Sequence, residues 1–178
     1  CLVGSEMCIR DITTAGVTTL GAQDYQVGAG GSIVVQGTYR TVGTAGADAI
    51  VFDGNVSLAA NTSVETAGGG GDDVTLLADV TNASGNRDVV LNAGAAGNVT
   101  VGTTTANRAG QASSRLNLLD IDGNAVTLNA GVFATTLTLD GTAGAGDSLA
   151  VNGLIDASSV SEGTVAPFGS ATLGADLM

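Results

Sequence analysis

Three short stretches carry residues whose types and spacing could do chemistry. Gly71-Asp72-Asp73 sets two carboxylates side by side at the end of a glycine run, the residue type that general acid–base catalysis uses in pairs. Asp120-Ile121-Asp122-Gly123-Asn124 places two carboxylates and an amide at the alternate-residue spacing of a calcium loop. Position twelve of such a loop falls on Gly131, however, where a bidentate glutamate is needed. Arg87-Asp88 puts a guanidinium next to a carboxylate. Against these stands a narrow inventory, with no histidine and no lysine anywhere in the chain. A nucleophilic triad therefore lacks its base, and a transition-metal site lacks its commonest ligand. The glycine run is not followed by Gly-Lys-Ser or Gly-Lys-Thr, so it is not a phosphate cradle. The reading is structural: Asp72 and Asp73 leave a loop, Asp120 to Asn124 turns into a strand at Val126, and Arg87 with Asp88 forms a surface ion pair or a solvated turn. No residue is assigned as catalytic, cofactor-binding or metal-ligating.

Charge narrows the partners. Seventeen acidic residues face five basic ones, for a net charge of −12, and Arg10, Arg40, Arg87, Arg108 and Arg115 are scattered singly. A nucleic acid needs a basic stripe to displace counterions, and an anionic membrane surface needs a basic cluster, so neither is an expected partner. The acidic excess reads as a solubility term. No apolar run reaches the roughly 18 residues of a membrane span.

The elements that must position these residues are short strands. Hydrophobic residues make up 44% of the chain, but there is no tryptophan, and the aromatics are two Tyr and three Phe: Tyr25, Tyr39, Phe52, Phe133 and Phe168. Ala, Val and Leu fill thin layers rather than a deep core, and the 28 glycines together with Asn and Asp supply turns. From about residue 12 one theme recurs, an apolar residue, a small or polar one and a second apolar one, followed by a turn. Val56-Ser57-Leu58, Val74-Thr75-Leu76, Val89-Val90-Leu91, Val99-Thr100-Val101, Leu116-Asn117-Leu118, Val126-Thr127-Leu128, Leu137-Thr138-Leu139 and Leu149-Ala150-Val151 fit it. Asp53-Gly54-Asn55, Ser84-Gly85-Asn86, Asp122-Gly123-Asn124, Asp140-Gly141 and Asn152-Gly153 punctuate it. A sandwich of this length would need large residues between its sheets and edge prolines, whereas only Pro167 is present. Stacked coils need only ladders of similar aliphatic residues. The expected fold is all-β, an elongated right-handed parallel β-helix, or β-solenoid, of roughly six to eight coils at about 20 to 25 residues each. The Gly-rich run Thr66 to Asp73 and the polar run Thr103 to Ser114 are expected as loops projecting from its corners.

The first eleven residues stand apart. Cys1-Leu2-Val3-Gly4-Ser5-Glu6-Met7-Cys8-Ile9-Arg10-Asp11 holds both cysteines and resembles a translated sequencing adaptor, so residues 1–11 are set outside the fold and 12–178 are read as a single solenoid segment. The remainder is free of cysteine, in keeping with an extracellular repeat protein. The start shows no charged segment followed by a long apolar one, and Ser170-Ala171-Thr172-Leu173-Gly174-Ala175-Asp176 reads as the opening of a further repeat, so both ends read as cut.

Asp53 to Thr66, Gly71-Asp72-Asp73-Val74-Thr75-Leu76 and Asn124 to Gly131 resemble the strand repeats of filamentous-haemagglutinin-like and autotransporter-like bacterial surface proteins. Gln36-Gly37-Thr38-Tyr39 is similar to a recurring junction ahead of an apolar strand in those repeats. The resemblance implies a stalk on a Gram-negative cell surface, extracellular, used in adhesion or as a spacer. Its partners would be neighbouring repeats of the same chain and an unidentified host-cell or glycan receptor, with no cofactor and no membrane insertion. Two other classes are carried as alternatives. Asp72-Asp73 resembles the acidic pair of polygalacturonases, which also use a histidine and a lysine, and Arg87 is the one candidate for pectate-lyase-like, calcium-assisted proton abstraction. Gly68 to Leu76 is similar to one glycine–aspartate nonapeptide of repeat-in-toxin proteins, with Thr75 where a large apolar residue belongs and no tandem copy after it. These point to a carbohydrate-active β-helix enzyme and to a calcium-binding surface-layer or secretion module.

Overall fold

The structure, a computed structural model, describes residues 2–3, 6–7, 11–28, 30–43, 48–82, 86–141, 147–162 and 170–173. Cys1, Cys8, Ser84, Gly85, Pro167, Phe168 and Gly174 to Asp176, all singled out above, lie outside them. Among the described residues there is no helix. At the start of the chain β1 (Leu2–Val3) and β2 (Glu6–Met7) pair antiparallel as a separate two-stranded sheet. Each later turn lays down strand in two parallel sheets, a long bent segment in the first and a shorter one in the second.

The lowest turn has β3 (Asp11–Ala15) and β4 (Thr18–Thr19) in the first sheet and β5 (Gln23–Gln26) in the second. Next come β6 (Ser32–Thr41) with β7 (Ile50–Asp53), and β8 (Asn55–Glu65) with β9 (Val74–Leu76). Two further turns split the bent segment, as the lowest one does: β10 (Val80–Thr81) and β11 (Asp88–Asn92) precede β12 (Asn98–Val101), and β13 (Arg108–Ala109) and β14 (Leu116–Asp122) precede β15 (Ala125–Leu128). Then β16 (Gly131–Asp140) is followed by β17 (Ser148–Val151), and β18 (Ile155–Glu162) by β19 (Ser170–Leu173). The result is a β-solenoid of about six turns with every inter-turn pairing parallel. Along the ladder that starts at Ile12 the repeat runs from 21 residues, between Ile12 and Ile33, to 29, between Val80 and Ala109.

Period-two alternation turns alternate side chains inward, and parallel register puts like above like. Ile12, Ile33, Val56, Val80, Ala109, Val132 and Ile155 make one ladder. Tyr39, Val64, Leu91, Ile121 and Leu139 make a second beyond the bend. In the second sheet Ile50, Val74, Val99, Val126 and Leu149 run beside Phe52, Leu76, Val101, Leu128 and Val151. Nearly all of these are buried, and each inward Val or Leu contributes about 1.5–3 kcal/mol. A single turn holds too few of them to stand alone, so stability is built by stacking.

The bend in the first sheet explains where the sequence pattern misleads. In β6 Val35 faces in, Gln36, Gly37 and Thr38 face out, and Tyr39 faces in again, so alternation restarts after the corner. The pairing of β6 with β8 shifts register between Val35 and Gly37, and Gly37 takes a φ of +78°. Gln36-Gly37-Thr38-Tyr39 is thus the corner within a strand, not a junction ahead of one. Gly16 at the turn below has a φ of +44°, and a Cβ there would sit 2.7 Å from the Thr38 carbonyl oxygen, so both conformation and space demand glycine. The same restart corrects Leu116-Asn117-Leu118: Leu116 and Leu119 are buried and Leu118 is only half-buried.

Neither loop expectation holds whole. The polar run Thr103 to Ser114 contains β13, with Ala109 buried in a ladder. The Gly-rich run does connect β8 to β9, but it lies against the next turn, since a Cβ on Gly94 would come 2.5 Å from Gly68 Cα. The widely spaced aromatics Tyr25, Tyr39 and Phe52 come together in the core. Tyr25 stacks on Phe52 at 4.9 Å and both meet Tyr39 edge-on, at 5.7 and 5.4 Å. Burial pushes the Tyr25 hydroxyl up to about 12, helped by Tyr39. It donates to Gln23 Oε1, while the Gln23 amide donates to the carbonyls of Val17 and Arg40.

Candidate functional site

The acidic residues are the only group present in number, and where the described ones point decides what they can do. Asp72, 2% exposed, is held at the corner between β8 and β9. Its Oδ1 accepts from the Asp48 backbone N–H one turn below at 2.8 Å, and its Oδ2 accepts from the Gly69 N–H at 2.6 Å. Asp73 reaches the other way: its Oδ1 accepts from the backbone and side-chain N–H of Asn98, one turn above, at 2.8 and 3.1 Å. The two neighbours therefore bind different turns and do not converge on a shared substrate position. A carboxylate accepting backbone N–H bonds is a corner staple, because a buried amide without an acceptor is costly.

The motif recurs. Asp11, the first residue of β3, accepts from the backbone N–H and hydroxyl of Ser32 at 3.0 and 3.1 Å. Asp79 accepts from the Arg108 N–H at 3.0 Å. Asp88 is tied on both sides, its Oδ2 taking the Asn61 amide at 3.0 Å and its Oδ1 the Asn117 amide at 2.7 Å. Of the surface ion pair or solvated turn expected at Arg87-Asp88, the ion pair is not formed: Asp88 joins an amide–carboxylate–amide row across three turns, and Arg87 Nε is shielded from solvent without an acceptor. Asp48, 7% exposed, leaves its Oδ2 without a donor.

Asp120 and Asp122 sit within β14, on a strand and not in a loop, so the calcium-loop spacing is not realised as one. Both face outward, and the parallel register sets Asp140 beside Asp122. Burial raises the pKa of Asp120 and of Asp122, and the Asp140 charge raises both further. Asp140 was missed as a member of this group. The signal was present, since Asp122-Gly123 and Asp140-Gly141 each end an apolar alternation, and aligning those ends gives the register. Among the described residues no three His, Cys, Asp or Glu side chains gather as a metal-ligand set.

Among the described residues, two surface cavities border the arginines of these turns. One of about 460 Å³ is lined by Arg40, Thr41, Gly43, Gly68, Gly69 and Asp72. Arg40 there faces Glu65 at 3.8 Å, and both Asp72 oxygens are engaged. The other, about 610 Å³, lies along the bend of the first sheet and includes Arg87. Arg115 is a clamp across turns, bonding the Asp156 carbonyl at 2.7 Å and its carboxylate at 2.6 Å. The geometry assembles a scaffold in which polar side chains bond neighbouring turns. Comparison with known protein families, with curated proteins and with solved structures returned no match.

Proposed function

We propose that this chain is a structural or adhesive stalk segment of a large secreted or cell-surface bacterial repeat protein, without catalysis. The observation that carries the reading is the use made of the carboxylates: Asp11, Asp72, Asp73, Asp79 and Asp88 bond amides of adjoining turns, so the polar chemistry serves stacking. The solenoid is compatible with the resemblance to filamentous-haemagglutinin-like and autotransporter-like repeats, and with it a Gram-negative outer surface as the location. Neighbouring repeats and a host-cell or glycan receptor are the partners this reading supplies.

The test has two arms. Antibody raised against residues 12–178 should label intact, unpermeabilised cells of the source organism, and the purified segment should leave a panel of acidic and neutral polysaccharides uncleaved, as read by reducing ends and by absorbance of unsaturated products. Labelling only after permeabilisation, or steady release of either product, overturns the proposal.

A further inference from the structure

In a chain of net charge −12 an arginine with neither a carboxylate nor an aromatic ring as partner is an unusual feature. Of the arginines among the described residues, Arg40 faces Glu65 at 3.8 Å, Arg115 bonds Asp156 at 2.6 Å, and Arg108 lies over the Phe133 ring at 5.5 Å. Arg87 differs. Its neighbour Asp88 spends its two oxygens on Asn61 and Asn117, and Arg87 Nε has no acceptor. Among the described residues no hydrogen bond or ion pair holds this guanidinium.

The same side chain borders the cavity of about 610 Å³ along the bend, whose other walls include Gly16, Gln36, Gly37, Ala60 and Asn61 from three successive turns. The floor stays open for a backbone reason, because Gly16 and Gly37 both have positive φ and a Cβ on Gly16 would strike Thr38. The cavity lining holds no aliphatic residue larger than alanine and no aromatic one. It combines an exposed glutamine, glycine backbone and one unpaired cation. A guanidinium matches a planar two-oxygen anion through parallel N–H···O bonds. A dianion such as phosphate would meet the net negative charge of the whole chain with only one cation to offset it, whereas a carboxylate brings a single charge.

We propose that this corner groove is a binding site for a carboxylate on a small polar ligand, with Arg87 as the residue that recognises it. This inference does not rest on the stalk reading and holds equally for a spacer or an enzyme fragment. The test is a titration of the isotope-labelled chain, followed through the Arg87 Nε–H signal and the backbone amides of Gly16 and Gly37. Sodium acetate and sodium glucuronate are the probes, with sodium chloride at equal ionic strength and glucose as controls. Saturable shifts at these positions with a dissociation constant on the order of 1 mM are expected for at least one carboxylate. Equal affinities would assign a bare carboxylate site, and tighter glucuronate binding would add the ligand hydroxyls. Arg87→Met should abolish the glycine shifts with an unchanged circular dichroism spectrum, and Arg87→Lys, which keeps the charge but not the fork, should weaken them at least several-fold. Shifts that fail to saturate, that chloride reproduces, or that survive in Arg87→Met overturn the proposal.

Discussion

Two groups of aspartates in this molecule use the same side chain to opposite effect. Around the corner between β8 and β9, Asp72 and Asp73 each accept hydrogen bonds from backbone N–H groups, and burial there is compensated. On the outer face of β14 and β16, Asp120, Asp122 and Asp140 stand near one another, Asp122 directly beside Asp140 in register, and burial with mutual repulsion raises the pKa of Asp120 and Asp122. The difference lies in what the solenoid brings opposite each carboxylate. Near a corner the chain turns and amide N–H groups lack ladder partners, so an acceptor is useful. Along a strand the ladder already satisfies the backbone, and a parallel register stacks like residues, so carboxylates meet carboxylates.

The first way to break this comparison is at Asp72. Asp72→Ala leaves the N–H groups of Asp48 and Gly69 without their acceptor in a buried corner, and a loss of about 3 kcal/mol is expected from two charge-assisted bonds. Urea unfolding should show it as a lower midpoint. Asp72→Asn keeps one amide oxygen as acceptor and should recover about half of that loss. An alanine variant as stable as the parent would show that the corner is held by packing alone.

The contrast also marks what sequence could and could not show. The theme Val74-Thr75-Leu76 gives β9 residue for residue, and the all-β solenoid follows from repeating it, because period-two alternation of small aliphatics has few other ways to be buried. The theme runs from about residue 12, and Ile33-Val34-Val35 and Ile50-Val51-Phe52, which are not among the cores quoted for it, carry the same alternation and enter the same ladders. The bend was not legible, since nothing in Leu116-Asn117-Leu118-Leu119 says that inward facing passes from Leu116 to Leu119. Asp122 beside Asp140 is legible only by aligning the Asp-Gly ends of two alternations, whereas contacts such as Asp88 with Asn61 and Asn117 have no such marker and are concealed by irregular turn lengths. Arg87 was singled out for its neighbour Asp88, but its setting comes from residues one, two and three turns away.

The second prediction concerns pH and the outer acidic group. A carboxylate whose pKa is raised on folding binds more protons in the folded state than in the unfolded one between the two values. Stability contributed there therefore falls as pH rises from the ordinary aspartate value of 3.8 through the raised one, and the full penalty persists above both. Asp122→Asn removes one member of the stacked pair and should stabilise the protein at neutral pH by about 0.2–1 kcal/mol, the size of a cross-strand side-chain pair interaction. The gain should shrink towards zero at acid pH. Unfolding midpoints of the two proteins across the acid range check this, and a gain independent of pH would assign the effect to hydrogen bonding instead of charge.

The smallest effect gives the sharpest separation of charge from geometry. Asn92 occupies the row position between Glu65 and Asp122, and its Oδ1 accepts from the Gly94 N–H at 2.8 Å. Asn92→Asp keeps an oxygen in place for that bond and changes little in volume, while adding a negative charge between two others. If repulsion governs this face, the variant loses about 0.5 kcal/mol at low ionic strength. Most of that loss should return at roughly 1 M salt, where the screening length falls to about 3 Å, shorter than the spacing between neighbouring strands. A loss unaffected by salt would place the cost in the Gly94 turn, and the two aspartate groups would then differ in local hydrogen bonding alone, not in what the stack sets beside them.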